Sequence, residues 1–238
     1  MPETQAGPIL KEMREIIFDT ETTGLDPSRG DRLVEMGCIE MVNRVATGHT
    51  FHAYYNPERS MPAEAEAVHG LSEAFLAEKP KFVESVEELL EFLSDSPLVA
   101  HNASFDFGFL NAELAMCRLE PVSETRMVDT LAIAKRRHPG AKLSLDALCT
   151  RYGIDRSHRT RHGALLDAEL LAQVYVELTG GRQIGLELAG DQGADVVPIR
   201  KPAIKREFRA PRPHRASPGE LERHKAFIAE IDAPLWEK

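Results

Sequence analysis

Residues 14–24 read REIIFDTETTG, an apolar run that ends in alternating acidic residues. The run Ile16–Phe18 predicts a buried central strand, and Asp19 and Glu21 follow at its end. Side chains at positions i and i+2 of a strand point to the same side, so the two carboxylates should emerge together. Open α/β sheets place their sites at the carboxyl ends of strands. The stretch therefore predicts an acidic site, although a polar turn that closes a strand has the same spacing.

Further strand and helix patterns surround this stretch. The chain begins with a hairpin pattern and then alternates between strands and helices, which predicts a mixed sheet with helices on its faces. The predicted strands are Leu33–Val42, Gly48–Tyr55 (joined to the first around Asn43–Thr47), Pro97–Ala100 and Met127–Val128. The predicted helices cover Phe82–Leu93, the segment that opens near Asp106, Thr130–Arg137, Leu143–Tyr152 and Ala164–Leu178.

The composition limits the classes of protein. The 238 residues can form one sizeable α/β domain and a tail. The formal charge of −9 is unfavourable for a protein that binds nucleic acid through a basic surface. Binding of a nucleic acid would therefore need bound cations or a partner protein. The three cysteines are scattered and fit reduced thiols in the cytosol. We find no secretory signal and no apolar run of membrane-spanning length, and therefore expect a cytoplasmic protein without a membrane partner.

The pattern divides the chain into five parts. They are a loose leader (1–13), the α/β domain (14–181), a short apolar motif (182–188), a flexible basic Pro-rich linker (189–218) and a terminal segment (219–238). The linker has too few apolar residues to fold alone. The terminal segment places Leu221, His224, Phe227, Ile228 and Ile231 on one helical side and ends near Trp236. Such a stripe predicts docking into a groove of another protein, unless it folds back on its own α/β domain.

Two more carboxylates are placed to face inward. Asp167 is in line with the apolar stripe of its helix, which includes Leu170, Leu171 and Val174. A buried unpaired charge is costly, so Asp167 needs a cation or a salt bridge to an arginine. Asp106 opens a helix whose inner face is apolar, although an acid in a first helical turn is also favourable by itself.

His162 precedes Asp167 by five residues, about 140° around a continuous helix. We therefore expect His162 to lie on the approach to the helix and to reach the same site from outside, unless it is only a surface residue. The four carboxylates offer hard oxygen ligands, which favour Mg²⁺ or Mn²⁺ over zinc. Two such ions can clamp the attacking and leaving oxygens of a phosphodiester.

Three motifs carry a family resemblance. FDTETTG (18–24), HNASFD (101–106) and HGALLD (162–167) resemble the exonuclease motifs of the DnaQ-like, DEDDh-type exonucleases. The likeness extends over residues 14–181 and is strongest to the epsilon, or proofreading, subunits of bacterial DNA polymerase III. It also includes VNR at 42–44, VHGL at 68–71 and SLDALC at 144–149. The resemblance implies a ribonuclease H-like fold, with a five-stranded mixed sheet flanked by helices, and removal of mismatched 3′-terminal nucleotides as 5′-mononucleotides.

The resemblance also implies roles for individual residues. The metal ligands for two Mg²⁺ or Mn²⁺ ions would be Asp19, Glu21, Asp106 and Asp167, and the general base would be His162. The terminal nucleotide would contact Glu64 and His69 together with Asp19, Glu21 and Asp167, with Thr20 and Thr22 nearby. We interpret Asp129 as a helix N-cap and His101 as a residue that orders the loop before Asp106.

The expected partners also follow from the resemblance. They are a single-stranded or frayed DNA 3′ end, the polymerase III alpha subunit through the C-terminal tail, and a small theta-like subunit. Residues 183–188 resemble clamp-binding peptides, with Gln183, Leu186 and Leu188 as anchors, although they could be simple helix-exit sequence. Two alternatives are a free-standing exonuclease on DNA or RNA ends, which would not need the tail, and a non-catalytic polymerase scaffold, which could lose site residues.

Overall fold

The computed structural model describes residues 13–157, 162–181 and 216–231. The chain divides into two compact units, Met1–Leu186 and Glu187–Lys238. The predicted leader before Met13, the motif at 182–188, most of the linker and Trp236 lie outside the described residues. No helix among the described residues is long and apolar enough to span a bilayer.

The first unit contains one five-stranded sheet of order β3-β2-β1-β4-β5. Its strands are β1 Arg14–Thr22, β2 Leu33–Val42, β3 Val45–Tyr54, β4 Leu98–Ala100 and β5 Met127–Asp129. The first three strands pair antiparallel, whereas β1, β4 and β5 are parallel. This confirms the mixed sheet predicted from the sequence.

The β2–β3 hairpin turns at Asn43 and Arg44, whose φ angles are 52° and 65°. Positive φ at both central residues is the geometry of a two-residue turn that matches the twist of the strands. The prediction that β3 begins at Gly48 was wrong by three residues, because the tight turn lets pairing start at Val45.

Among the described residues, seven helices of the first unit surround the sheet, and one helix belongs to the second unit. They are α1 Ala63–His69, α2 Glu73–Ala77, α3 Phe82–Leu93, α4 Ser104–Met116, α5 Thr130–Arg137, α6 Leu145–Tyr152, α7 Ala164–Leu178 and, in the second unit, α8 Pro218–Ala229. The sequence analysis did not predict α1 and α2, since helices of seven and five residues are too short to display a clear helical period.

Hydrophobic clusters cover both faces of the sheet. Ile16 and Phe18 of β1 join the cluster formed with α3 and α4, whereas Ile17 joins the cluster formed with α7. Because successive side chains of a strand alternate between faces, Asp19 and Glu21 belong to the face of Ile17. Thr20 belongs to the face of Phe18.

Gly37 is the point at which α7 approaches the sheet. A Cβ atom at this position of β2 would lie 2.2 Å from the backbone nitrogen of Leu165. Only glycine fits such an approach without displacement of the backbone. The contact brings the first turn of α7 close to β1 and thereby sets the position of Asp167.

The second unit contains α8, which lies in the segment where the sequence analysis predicted a helix with an apolar side. Ile231, which was predicted to belong to that side, lies after the helix ends at Ala229. Ser217 and Glu220 form a capping box at its start, and Pro218 occupies the first turn. Leu221 is 50% exposed and Phe227 is 61% exposed. Within residues 216–231, the described part of this unit, these two apolar side chains are therefore uncovered.

Candidate active site

The acidic residues converge at the carboxyl end of β1. Asp19 and Glu21 lie near the C-terminal end of β1, where the pairing with β2 shifts register between Glu21 and Thr22. The parallel neighbour β4 ends at Ala100 and leads into α4, which carries Asp106. The first turn of α7 carries Asp167. Three separate elements thus supply the four carboxylates.

One open cavity of about 270 Å³ contains all five residues of the predicted catalytic and metal set. Its lining consists of Asp19, Glu21, Asp106, His162 and Asp167, together with Thr20, His101, Asn102, Phe105, Ser144 and Leu145. A larger cavity of about 370 Å³ lies elsewhere, around Asn56–Ser60 and α2, and contains none of the predicted site residues. The chemistry of the side chains, rather than the volume, therefore identifies the site.

Among the described residues, one ligand atom from each of Glu21, His162 and Asp167 lies within 4.8 Å of the others. Asp19 and Asp106 line the same cavity but do not belong to this group. His162 Nδ1 is 3.1 Å from Asp167 Oδ2. The imidazole is about half exposed while the Asp167 side chain is buried. As predicted from the spacing, His162 lies before the helix, and Gly163 is the N-cap residue of α7.

Asp106 is buried, with 3% of its surface exposed. The hydroxyl of Thr20 donates a hydrogen bond of 2.7 Å to Asp106 Oδ1. Burial raises the pKa of Asp106 to about 7, although hydrogen bonds from Thr20 and from the backbone oppose the rise. In the absence of a cation, this carboxyl group therefore retains its proton to unusually high pH.

Asp129 and His101 hold the loop that precedes α4. Asp129 caps α5 by accepting from the N–H of Leu131, at 2.9 Å, which confirms the predicted N-cap. The same oxygen accepts from the N–H of Asn102, at 3.0 Å. His101 Nδ1 lies 2.9 Å from Thr130 Oγ1. Burial lowers the pKa of His101, which favours the neutral ring at neutral pH.

Neither of the two residues predicted to contact a terminal nucleotide from α1 lines the cavity, and the two differ in burial. His69 is buried at the end of α1, and its Nδ1 accepts from the N–H of Leu71 at 3.0 Å. The adjacent Val68 carbonyl accepts from the N–H of His162, so this end of α1 touches the catalytic region. Glu64 is exposed on α1 and does not line the cavity. The nucleotide contacts of both residues stay predictions.

Sequence reasoning missed Glu35, a buried carboxylate on β2 beside the site. Glu35 is 3% exposed, and its Oε1 lies 2.8 Å from His52 Nε2. A Cβ atom at Gly163 would lie 4.0 Å from the same oxygen. The available signal was an acidic residue inside the apolar run of β2. Phe105, Ser144 and Leu145 of the cavity wall lie within the motifs HNASFD and SLDALC, but the sequence analysis did not single them out as site residues.

Comparison with known proteins gives a consistent family. The exonuclease family model RNase_T matches residues 16–175. The DNA polymerase III subunit epsilon of Rickettsia felis is 46% identical over 226 residues, which cover 93% of this chain and 98% of the relative. The subunit of the same name from Escherichia coli K12 is 45% identical over 176 residues, or 71% of this chain and 72% of the relative. The rickettsial match therefore extends beyond the α/β domain.

Solved structures give the same fold. Exonuclease X in complex with 5′ overhanging duplex DNA has a TM-score of 0.53 and 26% identity, covering 70% of this chain and 90% of that structure. The nuclease domain of 3′hExo, a DEDDh family member bound to rAMP, has a TM-score of 0.62 and 16% identity. That match covers 71% of this chain and 93% of the solved domain. The latter similarity supports the ribonuclease H-like fold alone.

Proposed function

We propose a mechanism and a set of partners for this chain from the premise that it belongs to the exonuclease family of DNA polymerase III epsilon subunits. The chain is a proofreading 3′–5′ exonuclease. The observation that carries the mechanism is the convergence of four carboxylates and one histidine on a single cavity at the carboxyl end of β1.

The donor set of this cavity fits two divalent cations, Mg²⁺ or Mn²⁺. Asp19, Glu21, Asp106 and Asp167 offer hard oxygen ligands from three elements. Buried carboxylates such as Asp106 and Asp167 are costly without compensation, and nearby cations would offset that cost. When bound, the ions lower the pKa of a nucleophilic water and stabilise negative charge on the leaving oxygen.

His162 acts as the general base. Its Nδ1 faces Asp167 Oδ2, so a proton on Nδ1 leaves Nε2 in the acceptor form. Nε2 accepts the proton of the water that attacks the terminal phosphodiester. The bond from phosphorus to the 3′ oxygen of the preceding nucleotide breaks, and the terminal residue leaves as a 5′-mononucleotide. The partly exposed imidazole can return the proton to solvent.

The substrate is the 3′ end of a single or frayed DNA strand. Glu64 and His69 contact the terminal nucleotide from α1, together with Asp19, Glu21 and Asp167. A mismatched end unpairs at lower cost than a matched end, so it enters the site more often. Selectivity for errors then follows from the stability of the base pair and needs no reading of the base itself.

The chain works in the cytoplasm as part of a DNA polymerase III assembly, as the names of its relatives suggest. The C-terminal tail anchors it to the alpha subunit, and the exposed apolar side of α8 supplies part of that contact. Residues 183–188 bind the sliding clamp weakly, and tethering makes weak binding sufficient. A small theta-like subunit is a further partner.

Substitution of each acidic ligand tests the mechanism. Asp19→Ala, Glu21→Ala, Asp106→Ala and Asp167→Ala should abolish hydrolysis of a mismatched primer-template at saturating Mg²⁺, because each removes charge that stabilises the transition state. Asp95→Ala, which removes an exposed carboxylate outside the cavity, is the control and should behave as the parent. Near-normal hydrolysis by Asp167→Ala would refute the site assignment. The assay should be repeated with and without the polymerase subunit.

A further inference from the structure

We propose that Thr20 is a positioning residue, whose hydroxyl holds the Asp106 carboxylate in the orientation needed for metal binding. The inference rests on the proposed function, because it assumes that Asp106 is a metal ligand. It concerns the middle residue of the Asp19–Glu21 stretch, to which the mechanism assigns no task.

The alternation of β1 creates the need for such a residue. Asp19 and Glu21 belong to the sheet face that packs against α7, which carries Asp167. Asp106 arrives on α4, which packs on the opposite face with Phe18. The Asp106 side chain must therefore pass the carboxyl end of β1 to reach the cavity that Asp19, Glu21 and Asp167 also line. Thr20 belongs to the same face of β1 as Phe18, and its hydroxyl reaches the Asp106 carboxylate.

The contact between the two side chains is short and protected from solvent. Thr20 Oγ1 donates to Asp106 Oδ1 at 2.7 Å, and the two residues are 6% and 3% exposed. Within the part of the chain that the structure describes, this is the one side-chain hydrogen bond to Asp106. Water cannot easily replace a bond at this depth, and a β-branched side chain has few rotamers. The hydroxyl thus restricts the rotation of the carboxylate.

The start of α4 is fixed by other groups. Asp129 accepts from the backbone N–H groups of Asn102 and Ala103, directly before α4. Loss of the Thr20 hydroxyl should therefore leave the helix in place and free only the Asp106 side chain. This separation distinguishes a positioning role from a general contribution to folding.

The test is a measurement of metal affinity by titration calorimetry with Mn²⁺ on the full chain without DNA. Thr20→Val keeps the shape and removes the donor, and it should weaken the binding of one ion by about 10-fold, the lower end of the range for residues that orient metal ligands. Thr20→Ser keeps the hydroxyl and should restore most of the affinity. The Mg²⁺ concentration required for half-maximal hydrolysis should shift in parallel.

Thr23→Val is the matched control. Thr23 is 1% exposed, and its hydroxyl accepts from the N–H of Arg32 at 2.9 Å, away from Asp106. Its loss should lower the melting temperature and leave the affinity for Mn²⁺ unchanged. Equal loss of Mn²⁺ affinity in Thr20→Val and Thr23→Val would overturn the proposal, since both effects would then be structural.

Asp106→Asn separates this inference from the proposed function. If Asp106→Asn loses one ion but Thr20→Val binds Mn²⁺ like the parent, Thr20 has no positioning role and the mechanism stands. If Asp106→Asn itself binds both ions and hydrolyses DNA normally, the assignment of Asp106 as a ligand is wrong, and the Thr20 proposal fails with it.

Discussion

The imidazole of His162 and the carboxylate of Asp167 form a hydrogen-bonded pair, with Nδ1 3.1 Å from Oδ2. The proposed general base is thus oriented by a proposed metal ligand. His162 lies in the loop before α7, and Asp167 lies in the first turn of that helix. The pairing orients the ring and selects the tautomer in which Nε2 accepts a proton. Five positions of sequence separation would place the two side chains apart on a continuous helix, so the break at Gly163 is required.

His162→Gln should lower the rate of hydrolysis by about 100-fold or more, as expected for loss of a general base. Binding of single-stranded DNA should change much less. Single-turnover rates at one pH and saturating Mg²⁺ would measure the loss. His49→Gln, which changes an exposed histidine on β3, is the control. A rate for His162→Gln that equals the rate of the parent would remove His162 from this role.

Asp106→Asn should stabilise the metal-free protein at neutral and alkaline pH. Burial raises the pKa of Asp106 from 3.8 to about 7 in the folded chain, so the folded state binds this proton more tightly than the unfolded state. Ionisation therefore costs stability progressively as the pH rises from about 4 to about 7. Each 1 kcal/mol that the variant regains corresponds to roughly 2–4 °C in melting temperature.

Calorimetry in the presence of a chelator measures this difference. The melting temperatures of parent and variant should differ most above neutrality and converge in acid, where Asp106 is protonated in both the folded and the unfolded state. Added Mg²⁺ should raise the melting temperature of the parent more than that of the variant. A difference in melting temperature that does not depend on pH would contradict the assigned cause.

Gly37→Ala should damage the site from a distance. The new Cβ atom would lie 2.2 Å from the Leu165 nitrogen and 2.3 Å from its Cα, and backbone atoms cannot move aside alone. The start of α7 must shift, which should cost about 1–3 kcal/mol of stability and displace Asp167. Gly108→Ala is the control: its Cβ meets nothing within 4 Å on α4, so it should be neutral or slightly stabilising. Equal stability and activity of both variants would contradict the prediction.

A chain that ends at Gly181 should retain exonuclease activity on single strands but no longer co-purify with the polymerase alpha subunit. The described site lies wholly before this residue, whereas the proposed anchor lies after it. Trp236→Ala in the full chain should weaken the complex, since buried tryptophans often dominate interfaces. Lys238→Ala serves as the control. If the shortened chain bound alpha as tightly as the full chain, the tail would not be the anchor.

Alanine at Gln183, Leu186 and Leu188 together should abolish the weak affinity for the sliding clamp, because these residues are the proposed anchors of the motif. Ile184→Ala changes an apolar residue between the anchors and should have little effect. Surface plasmon resonance with immobilised clamp would compare the variants. Unchanged binding by the triple variant would remove this motif from the list of contacts.

Long and periodic elements could be predicted from the sequence. The bounds of α3, α5 and α7 agree with the predicted ranges, and α3 buries an apolar stripe of Phe82, Val86, Leu89 and Leu93 at the expected spacing. The convergence of Asp19 and Glu21 with Asp167 also followed from alternation and helical spacing. The exposed position of Glu64 could not be predicted in this way, because α1 is too short to show which of its sides faces inward.

Contacts between residues that are distant along the chain could not be predicted from the sequence pattern. The bond from Thr20 to Asp106 joins residues 86 positions apart, and neither the strand nor the helix encodes it alone. The same holds for Glu35, whose surroundings come from β3 and from the start of α7. Such pairings depend on how the layers meet, which local periodicity does not specify.

The order of the elements along the chain has a consequence for biosynthesis. Asp19 lies on the first strand, but Asp167 lies on α7, the last helix that packs on β1 and β2. A nascent chain therefore lacks one of the proposed metal ligands until nearly the whole domain has left the ribosome. Under the proposed mechanism, a chain that stalls or is truncated before α7 should be inactive as a nuclease.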